Sequence, residues 1–195
     1  MSRRDARFVE GGYYHVYNRG CNRTNIFYEE ENYRYLLRLI AEVTGSTSIS
    51  TIAYCLMPNH YHLLLRQNSE YQVSAAIQRI FNVYVKAVNS RLGRKGTLFE
   101  GPFKAKVVKG EEYLAHLCRY IHRNPLEAGF VESLDEWEFS DYLEWIGKRK
   151  WSLGCRFLPT PFFSTPDEYA RFVLEYEPPP KLAGELREYY LDEKK

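Results

Sequence analysis

Two imidazoles one residue apart, His60 and His62, lie in the run Met57-Pro58-Asn59-His60-Tyr61-His62-Leu63-Leu64-Leu65. If this run is a strand, residues two apart project from the same side with their backbones about 7 Å apart, and both rings can converge on one ion. Tyr61 then turns the other way, into the core. Neutral imidazole suits manganese, zinc and similar ions and leaves positions open for a phosphate oxygen. Taken alone, the pair is equally compatible with two edge-strand histidines that hold nothing.

A second constellation lies in Tyr113-Leu114-Ala115-His116-Leu117-Cys118-Arg119-Tyr120-Ile121-His122-Arg123-Asn124-Pro125. Read as a helix, its spacing by four puts His116, Tyr120 and Asn124 on one face, while Leu117 and Ile121 supply a packed side. A tyrosine hydroxyl is a poor nucleophile at its usual pKa of about 10, so it works only where a nearby cation or base stabilises the phenolate. Asn124, one turn on, can lend its carbonyl oxygen to the same ion. Against this, the chain has 17 tyrosines, most of which must be structural.

The elements that must hold these groups can be read in turn. Tyr13 to Asn18 alternates as a strand and Arg19-Gly20 closes it. Glu29 to Glu42 carries Tyr33, Leu36, Leu37 and Ile40 at helical spacing behind an acidic first turn, and Gly45 to Ser48 reads as the loop after it. Ser50 to Met57 and Tyr61 to Leu65 flank Pro58-Asn59 as a strand pair. Tyr71 to Leu92 gives a long helix with Val73, Ile77, Ile80, Phe81, Tyr84 and Val88 on one stripe. Thr97-Leu98-Phe99 and Phe103 to Val108 form a strand or hairpin, and Glu111 to Arg123 a final helix expected to stop before Pro125. The order β-α-β-β-α-β-α predicts an α+β, ferredoxin-like (split βαβ, RRM-like) antiparallel sheet with helices on one face, leaving the other for a substrate. A catalytic domain over residues 1–145 is expected, followed over 146–195 by a partly helical C-terminal tail, rich in proline at Pro159 to Pro166 and Pro178-Pro179-Pro180.

The formal charge of +2 conceals a segregation: 8 basic and 7 acidic residues over positions 1–78, 10 and 3 over 79–123, and 9 and 15 over 124–195. A basic block of this kind is the footprint of a phosphate-neutralising surface, although a solvated helix face gives the same count. The four cysteines are scattered, with no Cys-x-x-Cys pair, and read as reduced. No apolar run approaches the roughly 18 to 20 residues of a membrane span, and the basic start leads into no apolar signal region, so a cytoplasmic protein is expected.

Taken together and in order, four stretches resemble the REP-associated tyrosine transposases, a branch of the IS200-like, single-tyrosine HUH endonucleases. They are Tyr14 to Gly20, Met57 to Leu65, Gly96 to Lys106 and Arg119 to Val131, and the likeness covers roughly residues 11 to 145. The resemblance implies that His60 and His62 are the HUH metal ligands, that Tyr120 is the nucleophile, and that Asn124 occupies the place of a polar third ligand. It implies a divalent cofactor, Mg2+ or Mn2+, and single-stranded or hairpin DNA from repetitive palindromes as partner. Arg19, Arg91, Arg94, Lys95, Lys104, Lys106, Arg119 and Arg123 are the candidate DNA contacts. One departure is Pro102, where the family pattern Gly-Arg-Phe-Lys has arginine, so one phosphate contact near Lys104 is expected to be missing.

Such an enzyme would cut and rejoin single strands through a 5′-phosphotyrosine, with His116 or His122 as alternative acceptors of the phenolic proton. Two rivals stand beside it: a non-catalytic nucleic-acid-binding module on the same sheet, which would not need His60, His62 and Tyr120 together, and a His-x-His hydrolase, for which no further ligands stand at recognisable spacing. A monomer is favoured over a dimer.

Overall fold

The computed structural model describes residues 7–150 and 162–175, together with positions 153, 177, 180, 183 and 184. The alternating segments form four strands, β1 (Tyr13–Arg19), β2 (Ile49–Met57), β3 (His60–Gln67) and β4 (Lys104–Val108). They make one antiparallel sheet in the order β2-β3-β1-β4. The expected fold class is the observed one: α1 (Glu30–Thr47) and α2 (Val73–Arg91) cover one face, and α3 (Glu111–Glu127) follows β4. Tyr14, Val16, Leu56, Tyr61, Leu63 and Leu65 point from the sheet into the core beneath α1 and α2. Tyr61 stacks there on Phe81 with ring centroids 4.3 Å apart.

The opposite face, anticipated as open, receives α3. Ala53, Cys55, Met57 and Leu64 pack there against Leu114, Leu117, Cys118 and Ile121, and Phe163, Tyr169, Phe172 and Val173 join the same cluster. The last three belong to α5 (Pro166–Glu175). Between α3 and α5 the chain crosses the edge of β2: Leu56 N–H donates to Phe139 O at 2.9 Å, and the Trp137 indole N–H donates to Leu56 O at 3.2 Å. A short helix, α4 (Tyr142–Trp145), follows. This crossing satisfies backbone groups that a bare edge strand would leave for another chain.

Of the stretch expected as a strand or hairpin over Thr97 to Val108, only Lys104–Val108 forms a strand, with Phe99 making an isolated bridge to Gly20. The ends of α1 and α3 also differ from the sequence expectation. Gly45 does not end α1, because Thr44 and Thr47 hydroxyls donate to Ile40 O and Val43 O on a buried stripe. The helix ends instead at Ser48 in the left-handed region, φ 52°. Pro125 does not end α3; it lies inside the helix, whose last turn closes through Ala128 N–H to Asn124 O at 3.0 Å. A proline removes one donor, and near a C-terminus the remaining turn survives that loss. Asn124 therefore stays helical, one turn beyond Tyr120. Most of the proline-rich tail, Trp151 and Cys155 lie outside the described residues; Cys21, Cys55 and Cys118 are free thiols.

Candidate active site

Strand alternation does what the spacing required. His60, His62 and Leu64 face α3 from β3, while Tyr61, Leu63 and Leu65 face α1 and α2. The neighbouring strand adds to this row: Tyr17 pairs with His62 and Arg19 with His60 in the β1–β3 register, and His15 sits opposite Leu64. From above, α3 lowers Tyr120 to 5.3 Å between ring centroids from His62, edge-on at 77°. Asn124 reaches His60, with Oδ1 3.0 Å from Nε2. His60, His62, Tyr120 and Asn124 are thus brought into one buried site.

The donor set fits a divalent ion. His60 Nδ1 lies 2.6 Å from Asn59 Oδ1 and Nε2 3.0 Å from Asn124 Oδ1; with the ring proton on Nδ1, Nε2 presents a lone pair to an amide oxygen, itself an acceptor. Two facing lone pairs are reconciled by a cation, or by turning the amide to present Nδ2–H. His62 Nδ1 lies 2.9 Å from His15 Nε2, while His62 Nε2 is buried with no hydrogen-bond partner among the described residues. Leaving such an atom unsatisfied costs about 1–3 kcal/mol, which a bound ion would offset. Two ring nitrogens and an amide oxygen suit manganese or magnesium and leave positions for phosphate oxygens.

Glycine has a specific use beside the site. A Cβ on Gly20 would stand 2.0 Å from Thr24 O, so only glycine lets the chain turn there. The turn brings Gly20 N–H to Asn59 O at 2.7 Å, tying the end of β1 to the residue before His60.

Basic residues divide into two groups. Lys104 pairs with Tyr17 and Lys106 with His15 in the β1–β4 register, so both lysines flank the histidine row. Arg19, on the same row, donates to Glu100 at 3.0 Å. Arg119 adjoins Tyr120 on α3 and lies close enough to His116 to disfavour its protonation. Arg123 is held by Glu127 and by Val173 O. Arg91 and Arg94 lie at the C-terminal end of α2 and in the loop after it, bonding Glu29 and the Tyr28 hydroxyl, and Lys95 lies in the same loop. Around Pro102, Gly101 O accepts the Asn18 amide at 2.9 Å.

Both expected proton acceptors have neighbours of their own in the fold. His116 is ringed by Phe162 and Phe172. His122 points into a buried network, with Nε2 2.9 Å from Asp141 Oδ1 and Nδ1 2.5 Å from the Tyr169 hydroxyl. His15, which in the sequence stands out only as part of the Tyr14 to Gly20 stretch, is in the site instead. Alternation in Tyr13 to Asn18 places it on the face of Tyr17, but no local pattern reveals which strand lies beside it.

Burial pushes His62 well below the ordinary histidine value, with help from His15 and His60; burial and Lys106 push His15 down to about 3, and burial and Arg119 push His116 down to about 4. All three depressions favour the neutral ring in the fold. Above pH 6.5 neither state is protonated and stability is intact; below it the unfolded chain binds protons that the fold refuses, at up to about 1.4 kcal/mol per pH unit for each group. The urea midpoint should therefore fall as pH is lowered from 7 to 5, and a constant midpoint would contradict these buried neutral rings.

The model of the family described as "Transposase IS200 like" matches residues 8–124, which contain all of β1 to β4 and the segment of α3 that carries Tyr120 and Asn124. The chain belongs to the IS200-like transposase family. A Haemophilus influenzae protein described as a candidate REP-associated tyrosine transposase is 25% identical over 107 residues, covering 47% of this chain and 58% of that protein. The chain thus spans a little over half the length of that curated relative. The solved structure of a REP-associated tyrosine transposase bound to a REP hairpin matches with a TM-score of 0.65 at 17% identity, over 82% of this chain and 100% of that one. This likeness shows that the IS200-like chain shares its fold. Among the described residues no helix is long and apolar enough to cross a membrane.

Proposed function

We propose that this protein is a divalent-metal-dependent endonuclease and strand transferase that cuts and rejoins single-stranded DNA at hairpin sites through a 5′-phosphotyrosine on Tyr120. The observation that carries this reading is the convergence of Tyr120 and Asn124, from one face of α3, on His62 and His60 of β3. The DNA hairpin in the matching solved structure and the family of the Haemophilus influenzae relative support the choice of substrate.

His60, His62 and Asn124 would hold the ion, which when bound draws charge from the scissile phosphate oxygens. Tyr120 Oη forms the bond to phosphorus as the bond to the 3′ oxygen breaks; the phenol gives up its proton and the departing 3′ oxygen takes one. A 3′-hydroxyl attacking the same phosphorus reverses the step, and the phosphodiester energy kept in the tyrosyl bond means no nucleotide cofactor is required. Lys104 and Lys106 lie on the histidine face, where flanking phosphates would pass.

Incubation of labelled hairpin oligonucleotides with protein and Mn2+ separates this reading from its rivals. A covalent protein–DNA band is expected; free hydrolysed ends would indicate a hydrolase, and unreacted DNA a binding module. Binding should also weaken steeply with salt, and Lys104→Ala with Lys106→Ala should reduce the log–log slope by about 0.7 for each phosphate no longer neutralised. An unchanged slope would remove β4 from the DNA-binding surface.

A further inference from the structure

We propose that His15 is a positioning residue of this site: its Nε2 accepts the Nδ1–H of His62 and so turns the Nε2 lone pair of His62 toward the ion. The inference rests on the metal reading of His62 given above. The two rings lie in adjacent strands with Nε2 and Nδ1 2.9 Å apart, centroids 5.1 Å apart and planes at 21°, and both are fully buried. A single proton occupies this contact. On His62 Nδ1, it leaves Nε2 bare and able to ligate; on His15 Nε2, it makes His62 Nδ1 the acceptor and puts the other ring proton on Nε2, where no ion can bind.

Coordination by His62 requires the first arrangement, because the bond to the ion uses the Nε2 lone pair and leaves the ring proton on Nδ1, 2.9 Å from Nε2 of the His15 ring. The ring is also fixed in place, stacked on Tyr17 at 4.8 Å and carried by a strand bonded on both sides. Ligating histidines commonly direct their second nitrogen to a carboxylate or carbonyl. An imidazole in that role orients the ligand without adding negative charge, which leaves more of the ion's charge for phosphate.

Replacing His15 by Phe keeps a ring in the stack and removes the acceptor; His15→Gln keeps an acceptor near the Nε2 position. The readouts are Mn2+ titration calorimetry without DNA and the 15N spectrum of the histidine rings without metal. In the parent, His62 should carry its proton on Nδ1 alone. His15→Phe should weaken Mn2+ binding about 10- to 100-fold and scramble the His62 tautomer, and His15→Gln should restore both to within a few-fold. A parent spectrum with the His62 proton on Nε2 overturns the proposal even if neither variant folds. Parent-like affinity and tautomer in His15→Phe would also overturn it, as would a Gln variant as weak as the Phe variant. If the parent binds no Mn2+, the metal reading fails by itself, while the metal-free spectrum still decides whether His15 sets the tautomer.

Discussion

Tyr120→Phe is expected to form no covalent adduct with DNA while binding a hairpin within a few-fold of the parent. The substitution removes one oxygen and leaves the ring that lies edge-on to His62, so the packing of α3 on β3 should persist. Loss of a nucleophile that forms the covalent intermediate costs on the order of 10^4- to 10^6-fold in comparable cases. Denaturing gels with labelled hairpin measure the adduct, and native gels measure binding. An adduct in the phenylalanine variant would transfer the role to another tyrosine, with Tyr113, on the same helix, first in line.

His60→Ala and His62→Ala should each abolish cleavage by emptying the metal site. With three protein donors available, removing one ring nitrogen leaves a single imidazole and an amide oxygen, so Mn2+ affinity should fall by at least about 100-fold. His60→Ala also strips Asn124 of its partner at 3.0 Å, so this variant should disturb α3 more. Acidification should empty the parent site too, since imidazole ligates only when neutral; burial delays this for His62, which it holds neutral well below the ordinary histidine range. Calorimetric titration of Mn2+ into each variant and across pH is the check. Parent-like binding by both alanine variants would remove the metal from the mechanism.

Much of this was legible in the sequence because the fold is built from strongly periodic elements. Period-two runs around Val16 and His62, and the 3.6-residue stripe from Val73 to Val88, point directly to the strand and helix order. The boundaries that misled are those decided by tertiary context: Gly45 is carried through α1 by the buried threonines beside it, and Pro125 is tolerated within the last turn of α3. The same limit applies at the site. His60, His62, Tyr120 and Asn124 could be named because each pair lies within one element, where spacing fixes direction. His15 could not, since its role depends on β1 lying beside β3, a contact between residues 47 apart. For Arg91 and Arg94, charge alone could not show the bonds to Glu29 and to the Tyr28 hydroxyl that hold them.

The basic block likewise resolves only in three dimensions. Lys104 and Lys106 lie two apart on β4, on the face of His15 and Tyr17, which is a consequence of register. Arg123, from the same block, is engaged within the protein by Glu127 and by the α5 carbonyl of Val173.

In the proposed reaction Tyr120 becomes covalently joined to the 5′ phosphate of a cut strand. Its most direct test is to react the protein with a hairpin oligonucleotide and Mn2+, digest the adduct, and locate the nucleotide-bearing peptide by mass spectrometry. The expected result is a single modified peptide with the phosphate on Tyr120 and an equimolar strand ending in a free 3′-hydroxyl. A phosphate on any other residue, or cut strands with no modified peptide, would contradict it.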